Sequence, residues 1–166
     1  MSNIIDQHVQ TFDEIRRIGL ICHGLDLSSC EMFSGSQEYR PSKSIQRVLS
    51  GSLSSGLLHF AIAIRVNIYQ SSLMGLETTD LPWWASLYYK DELKTKPINL
   101  KTICDKIIHA NTVDKSVLPA ELTRGSKMCM QFVGLHNKRE WVMDIPVSSF
   151  VEYVFALLDE VESKNA

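Results

Sequence analysis

The sequence predicts a mostly helical α+β domain: a bundle of four to five helices with a C-terminal β-hairpin before the last helix. Apolar residues recur at helical spacing in several segments, most clearly in Leu100–Ala110. From about residue 128 to about residue 145 the period of the sequence pattern changes to two residues, as is typical of paired strands. A length of 166 residues suffices for one core, so we expect a single domain over 1–166.

The composition is that of an ordinary globular protein, with 45% hydrophobic and 22% charged residues. The net charge of −2 disfavours a general attraction to nucleic acid or to an anionic membrane and leaves room for a local basic patch. The first residues lack the basic and apolar regions of a signal peptide, and the most apolar run, Leu57–Ile64, is too short to span a bilayer. We therefore expect a cytoplasmic protein.

The cysteines are spread without a CxxC pair, which predicts free thiols at Cys22, Cys30, Cys104 and Cys129. Because paired Cys and His ligands are missing, we expect no metal. No Gly-rich phosphate loop, G-x-S-x-G elbow or H-E-x-x-H motif is present, and no cofactor is expected.

The first half of the chain predicts two helices. A broad apolar face predicts a helix over about 3–20, followed by a Ser- and Gly-rich loop over His23–Pro41. The second helix begins near Ser42 or Ser44 and extends to about Tyr69, with a possible break at Gly51. Its β-branched content leaves a strand over Phe60–Tyr69 as the alternative.

A third helix is predicted after Asp80-Leu81-Pro82, where Asp80 is an N-cap and the proline lies in the first turn. This helix would carry Trp83, Trp84, Leu87 and Tyr88, fade over Lys90–Lys96 and end at Pro97.

The next helix, Leu100–Ala110, is preceded by the N-cap candidate Asn99 and followed by the C-cap candidate Asn111. A β-hairpin follows over about 128–145, with a polar tip at His136–Arg139. After Pro146, Ser148 is placed to cap a last amphipathic helix whose apolar face runs from Phe150 to Val161.

Asp105 and His109 are the first candidate catalytic residues. At i and i+4 a carboxylate can hold an imidazole ring and raise its pKa, as a general base requires. The structural alternative is a histidine that interacts with the helix dipole beside a solvated aspartate.

Arg65 is the third candidate, because an arginine in so apolar a helix needs a partner. If it faces Asp105 and His109, the three residues form a partly buried site for a phosphate or carboxylate, and Lys101 and Lys106 are candidate ligand-binding residues. The alternative is a structural ion pair or a snorkelling side chain.

Two further groups have weaker functional signals. Trp83, Trp84 and Tyr88 are typical of core packing and are also candidates for a protein interface. The basic hairpin tip, His136–Arg139, is a candidate for phosphate contacts, although such tips are polar by default.

The segment Lys101–Ala110, placed after a helix with Arg65, resembles small helical bacterial proteins of the HEPN superfamily over about Ser44–Ala110. In that family, ribonuclease activity is linked to an arginine that is followed by a polar residue and, after about four to six residues, by a histidine on the same helix. Here Arg65 is followed by Val66 and Asn67, and no histidine follows within that reach, so the motif is not intact.

The resemblance implies a bacterial or phage HEPN-like domain that acts by protein or nucleotide/RNA binding in a defence or toxin–antitoxin setting. One alternative is a metal-independent ribonuclease that uses His109 as base and Arg65 to stabilise the phosphorane charge. A second alternative is an interaction module built on the Trp83/Trp84 surface. A protein partner or a homodimer is expected in either case, RNA or a nucleotide is a candidate ligand, and no membrane partner is expected.

Overall fold

The described residues form four helices and a five-stranded antiparallel sheet in the computed structural model of the chain. The structure describes residues 10–33, 41–70, 73, 75, 85–96, 98–116 and 128–165. In chain order the elements are α1 (Phe12–Phe33), α2 (Lys43–Tyr69), β1 (Ser86–Tyr89), β2 (Glu92–Lys96), α3 (Leu100–Ile108), β3 (Thr112–Lys115), β4 (Cys129–His136), β5 (Arg139–Pro146) and α4 (Val147–Asn165).

The sheet has the strand order β2-β1-β5-β4-β3. Its centre is the predicted hairpin, β4 and β5, in which Phe132 pairs with Met143 and Gly134 with Trp141. Its two-residue turn has positive φ angles at Asn137 (51°) and Lys138 (66°), the conformation that a tight hairpin with right-handed twist requires. The predicted α+β class is thus correct, but a helical bundle with one hairpin is wrong, because three more strands flank this pair.

Two of those strands, β1 and β2, replace the helix predicted after Pro82. The aromatic residues of this segment recur at helical spacing, yet β1 pairs along its whole length with β5, with Leu87 beside Met143 and Tyr89 beside Trp141. Strand pairing over such a distance in the chain leaves little local signal, and a four-residue strand is too short to show its period. The same holds for β3, which was not predicted.

Helix α2 matches its prediction closely. The Ser42 side chain accepts a hydrogen bond from the Ile45 N–H, and the helix continues for 27 residues without a break at Gly51. The alternative of a strand over Phe60–Tyr69 is wrong. By length and composition α2 also meets the criteria of a membrane span, and 39% of its most apolar window is buried inside the fold. A core helix of a globular protein meets the same criteria.

Helix α1 corrects the predicted boundaries, because residues 23–33 are helical and not a loop. Residues 1–9 and 34–40 of the two predicted segments lie outside the described residues. The buried face of α1 is apolar at Ile15 and Cys22 but polar at Asp26 and Ser29. The hydrophobic pattern of the sequence therefore does not show that the helix continues past Cys22.

Asp26 explains why a polar residue is buried there. Its carboxylate accepts hydrogen bonds from the Met128 N–H, just before β4, and from the N–H and hydroxyl of Ser148, in the first turn of α4. Backbone donors at a helix N-terminus favour a negative charge, which stabilises this buried carboxylate. The predicted N-cap at Ser148 is wrong: α4 begins at Val147, and Ser148 lies inside its first turn and donates to Asp26.

The core lies between the helices and one face of the sheet. Alternate strand residues belong to the same apolar cluster as the helices: Leu87, Met130, Phe132, Trp141, Met143 and Ile145. Within the helical layer the rings of Phe60 and Phe150 meet edge to face, with centroids 5.5 Å apart. Helix α3 packs against α2 and β4, and most of the candidate residues lie on α3 and α2.

Candidate functional site

Helix α3 carries most of the candidate residues, and its ends are fixed by specific hydrogen bonds. The Asn99 side chain accepts from the Thr102 N–H at 2.8 Å, which confirms the predicted N-cap. The predicted C-cap at Asn111 is wrong: α3 ends at Ile108, and its C-cap is His109, whose N–H donates to the Asp105 carbonyl. Asn111 instead donates its N–H to the Val133 carbonyl of β4 at 2.7 Å, so the sheet captures the chain directly after the helix.

Arg65 of α2 and Asp105 of α3 form an ion pair across the two helices. Arg65 Nε donates to Asp105 Oδ1 at 2.6 Å, and the two side chains are 26% and 37% exposed. Because the bond uses Nε, the two terminal amino groups of the guanidinium lie outside it. Arg65 therefore faces Asp105, which is the condition for a shared site, and the pairing fixes the direction of the guanidinium.

His109 lies at the exposed C-terminal end of α3. Within the described residues, its ring has no hydrogen bond to the Asp105 carboxylate, which is engaged by Arg65. The predicted carboxylate-held imidazole is therefore not formed, because the stronger charge-assisted partner on α2 takes the carboxylate.

These residues share a cleft of about 760 Å³, which we call the α3 cleft. It lies beside the C-terminal half of α3, between α2 and the tip of the β4–β5 hairpin. Its lining residues are Arg65, Thr102, Asp105, Lys106, His109, Asn111, Leu135, His136 and Trp141. A volume of this size accommodates a small organic ligand or part of a polymer.

Gly134 and Trp141 form a closely packed corner of the α3 cleft. A Cβ atom at Gly134 would lie 2.3 Å from Trp141 Cζ2 and 3.1 Å from the His109 carbonyl oxygen. The missing side chain therefore leaves room for the indole ring between β4 and the end of α3. This packing sets the position of His109 relative to the sheet.

Lys106 is a partly buried cation that lines the α3 cleft. Its ammonium lies 4.3 Å from the centre of the Trp141 ring and 5.9 Å from that of Tyr89. Partial burial lowers the pKa of Lys106, and the charge of Asp105 opposes that shift. In the described part of the chain, no carboxylate forms an ion pair with Lys106, so its charge is available to a ligand.

The α3 cleft is consequently basic. Two permanent cations, Arg65 and Lys106, and two histidines, His109 and His136, line it together with a single carboxylate. That carboxylate is already engaged by Arg65. Such an arrangement attracts an anion and repels a cation.

Of the other predicted site residues that the structure describes, Lys101 and Tyr88 do not line the α3 cleft. Lys101 is exposed on α3 and does not line the cleft, whereas Lys106 does. Tyr88 is partly buried in β1, opposite Val142 of β5. Trp83 and Trp84 lie outside the described residues.

The hairpin tip, predicted as a phosphate-contact candidate, divides into two parts. His136 lines the α3 cleft. Arg139 is bound by Asp91 at 2.8 Å and by Glu92 at 2.7 Å, and its guanidinium lies 4.5 Å from the Tyr89 ring centre. The charge of Arg139 is therefore neutralised by Asp91 and Glu92 and is not available to a ligand.

The described cysteines are buried free thiols, as predicted for Cys22, Cys104 and Cys129. Burial raises the pKa of Cys22 to about 11 and that of Cys129 to about 12, and it raises the pKa of Cys104 as well. In the described ranges no group of three or more His, Cys, Asp or Glu side chains is arranged to hold a metal ion.

Comparison with models of known protein families, with curated proteins and with solved structures gives no match to this chain. The α3 cleft is therefore interpreted from its own residues. Sequence reasoning missed Trp141 and Asn111 as lining residues. The alternation of β5 placed Trp141 on the apolar face, but the pairing of β5 with β4, which brings its ring under α3, is not encoded in either segment alone.

Proposed function

We propose that the protein binds a phosphate-bearing ligand, either RNA or a nucleotide, in the α3 cleft. One observation carries this proposal: Arg65 and Lys106 line the same cleft as two histidines, and the single carboxylate there is already paired. Arginine binds phosphate oxygens with a planar fork of donors, and lysine binds them as a point charge.

Each cation is suited to a different part of that task. Asp105 holds Arg65 through Nε, which leaves a terminal fork of donors for two phosphate oxygens. Lys106 lies over the Trp141 ring, and an incoming anion would offset the cost of its partial burial. Because an anion favours the charged lysine, binding should weaken as pH rises through the lysine pKa, which lies below the ordinary value of 10.5.

The test is fluorescence anisotropy of a labelled single-stranded RNA, with ATP and inorganic pyrophosphate as competitors. We expect Lys106→Met, which keeps the apolar stem, to weaken binding by about tenfold or more, since a hydrogen bond to a charged group contributes about 1.5–3 kcal/mol. Arg65→Lys keeps the charge but loses the planar fork, and it should weaken binding as well.

The matched control is Lys164→Met, because Lys164 is exposed on α4 and pairs with Glu160. RNA that is displaced by ATP would identify the phosphate groups as the recognised feature, whereas RNA that resists ATP would indicate recognition of the polymer. Equal affinity in the wild type and in Lys106→Met, or no binding of any of the three probes, would contradict the proposal.

A second candidate function is metal-independent cleavage of RNA, and the presence of two histidines in one cleft with Arg65 favours it. In this reaction His109 takes the proton of a ribose 2′-hydroxyl, and the 2′-oxygen attacks phosphorus. The bond from phosphorus to the 5′-oxygen breaks, and His136 protonates that oxygen. Arg65 stabilises the charge of the phosphorane. The products are a 2′,3′-cyclic phosphate and a 5′-hydroxyl.

Incubation of RNA with the wild type, His109→Ala and His136→Ala tests this candidate. We expect cleavage by the wild type, in the presence of a chelator, and a loss of about a hundredfold or more in each variant. Cleavage that is equal in all three proteins, or no cleavage by the wild type, would contradict it. Binding without cleavage leaves the first proposal intact. Neither proposal depends on the HEPN resemblance. In the cytoplasm, the proposed location, the cleft would meet both RNA and nucleotides.

A further inference from the structure

One edge of β4 is open where the strand passes the α3 cleft. Strand β3 covers β4 only as far as Val133, which pairs with Thr112. The chain that precedes β3 is the end of α3, so it does not extend the ladder. Strand β4 itself continues to His136, and Leu135 lines the cleft. The stretch of β4 beyond Val133 therefore has a strand on one side only.

The direction of the Leu135 backbone groups follows from the hairpin. A two-residue turn is closed by a hydrogen-bonded pair, here His136 and Arg139, and successive pairs of an antiparallel ladder alternate. The next pair, Leu135 and Glu140, therefore shares no hydrogen bonds, and its backbone groups point away from each other. The Glu140 carbonyl agrees with this alternation, since it accepts from the N–H of Lys90 at 3.0 Å on the β1 side. The N–H and the carbonyl of Leu135 consequently point to the open edge.

These two backbone groups are free to bind a ligand. Between the residues that the structure describes, no hydrogen bond uses the N–H or the carbonyl of Leu135. The Val133 carbonyl, which precedes them on the same edge, is already taken by the Asn111 N–H. Because side chains alternate along a strand, the exposed side chain of Leu135 lies on the opposite face of the sheet from Gly134. The backbone is therefore the part of Leu135 that faces the cleft.

A donor beside an acceptor selects the chemistry of the ligand. The N–H and the carbonyl of Leu135 complement a group that presents an acceptor next to a donor. A nucleobase has such an edge: adenine, for example, offers its N7 acceptor beside the N6 amino donor. Phosphate oxygens accept hydrogen bonds, so they gain nothing from the carbonyl. An added peptide strand is a poorer match, since it uses a row of free backbone groups and this edge offers those of one residue.

The edge lies in the same cleft as Arg65 and Lys106, the proposed phosphate-binding residues. A ligand with phosphate at one end and a base at the other can contact both, and the volume of about 760 Å³ is typical of sites for whole organic ligands. We infer that the backbone of Leu135 binds the base of the nucleotide or RNA. This inference rests on the proposed phosphate binding, and it assigns to β4 the distinction between base-bearing ligands and simple phosphates.

Two substitutions of Leu135 test this inference. Leu135→Pro removes the N–H at an open edge, which is where strands tolerate proline. The matched control Leu135→Ala keeps the N–H and removes only the side chain. The measured quantity is the dissociation constant of pyrophosphate divided by that of ATP, and likewise by that of a short single-stranded RNA. We expect this ratio to fall by about fivefold or more in Leu135→Pro, for ATP, for RNA or for both, and to stay unchanged in Leu135→Ala.

NMR of the wild type gives a test that does not depend on the folding of Leu135→Pro. We expect the amide proton of Leu135 to move downfield with ATP, with RNA or with both, which identifies a free nucleotide or a polymer as the ligand. Pyrophosphate should leave it in place.

A Leu135 amide that neither ATP nor RNA moves, or that pyrophosphate moves equally, overturns the inference. An unchanged ratio for both ligands in folded Leu135→Pro, or an equal fall in Leu135→Ala, overturns it as well. If pyrophosphate still binds in these cases, the proposed phosphate binding stands without the base contact. Loss of binding of all three ligands to the wild type overturns both.

Discussion

Replacement of Gly134 by alanine is the perturbation that joins the fold most directly to the α3 cleft. The added methyl group would lie 2.3 Å from Trp141 Cζ2 and 2.7 Å from Trp141 Cε2. It would also lie 3.1 Å from the His109 carbonyl oxygen, which is backbone and cannot rotate away. The indole ring, which is fully buried, therefore has to move.

The size of the effect follows from these distances. Carbon atoms pack at about 3.5–4.0 Å, so the ring must shift by at least about 1.2 Å. Overpacking of this kind in a core typically costs about 1–3 kcal/mol. For a chain of 166 residues each kcal/mol lowers the melting temperature by about 2–4 °C, and a loss of about 2 kcal/mol corresponds to about 4–8 °C. Since Lys106 lies over the same ring, anion binding should weaken too.

Urea denaturation followed by circular dichroism measures the change in the free energy of unfolding. The matched control is Gly51→Ala. There the methyl group meets nothing, and stability should be equal to that of the wild type or higher by up to about 1 kcal/mol. A Gly134→Ala variant as stable as the wild type would refute the packing described for this corner.

Three further predictions concern groups outside the cleft. Asp26→Ala leaves two buried N–H groups and a hydroxyl without their acceptor, so the free energy of unfolding should fall by about 3–5 kcal/mol in urea denaturation; a loss below about 1 kcal/mol would contradict its anchoring role. The buried thiol of Cys22, whose pKa is raised to about 11, should resist iodoacetamide in the folded protein at about pH 8 and react in urea, as read by peptide mass spectrometry; rapid labelling of the folded chain would show that α1 opens. Arg139 lowers the pKa of Asp91 and of Glu92 below the ordinary 3.8 and 4.5, so their ion pairs contribute stability above those values and lose it as pH falls through the lowered ones. The difference in melting temperature between the wild type and Arg139→Met should therefore shrink as pH falls from about 5 to about 2, and a difference that does not depend on pH would contradict this sign.

Local patterns were sufficient for the elements that carry their own signals. The Ser42 and Asn99 caps and the apolar spacing behind them predicted α2 and α3, and both caps are observed. Strict alternation on either side of a polar tip predicted the hairpin of β4 and β5. In these segments the residues that form the structure are close together in the chain.

The remaining elements depend on partners that are distant in the chain. The segment of β1 has the aromatic spacing of a helix, and only its pairing with β5 makes it a strand. Helix α1 continues beyond Gly24 because Asp26 finds its hydrogen-bond donors more than a hundred residues later, next to β4 and in α4. No local pattern reports such a contact.

The sequence singled out several residues that line the α3 cleft, among them Arg65, Asp105, Lys106 and His109, but it also named Lys101, which does not line it, and it did not predict the packing. An arginine in an apolar helix needs a partner, and the sequence left open whether that partner lies on the helix of Asp105 or elsewhere; the structure shows the ion pair with Asp105. The competition between Arg65 and His109 for that carboxylate was not predictable from the i, i+4 spacing, because α2 decides it. The corner formed by Gly134 and Trp141 depends on strand register.

The central claim, that the α3 cleft binds phosphate groups, is tested most directly by amide NMR titration of the wild type with ATP and with a short single-stranded RNA. We predict that the largest shift changes fall on Arg65, Thr102, Lys106, His109 and Asn111, which line the cleft, and that Lys106→Met needs at least about tenfold more ligand to reach them. Shift changes confined to residues outside the cleft, or an unchanged spectrum with both ligands, would contradict the claim.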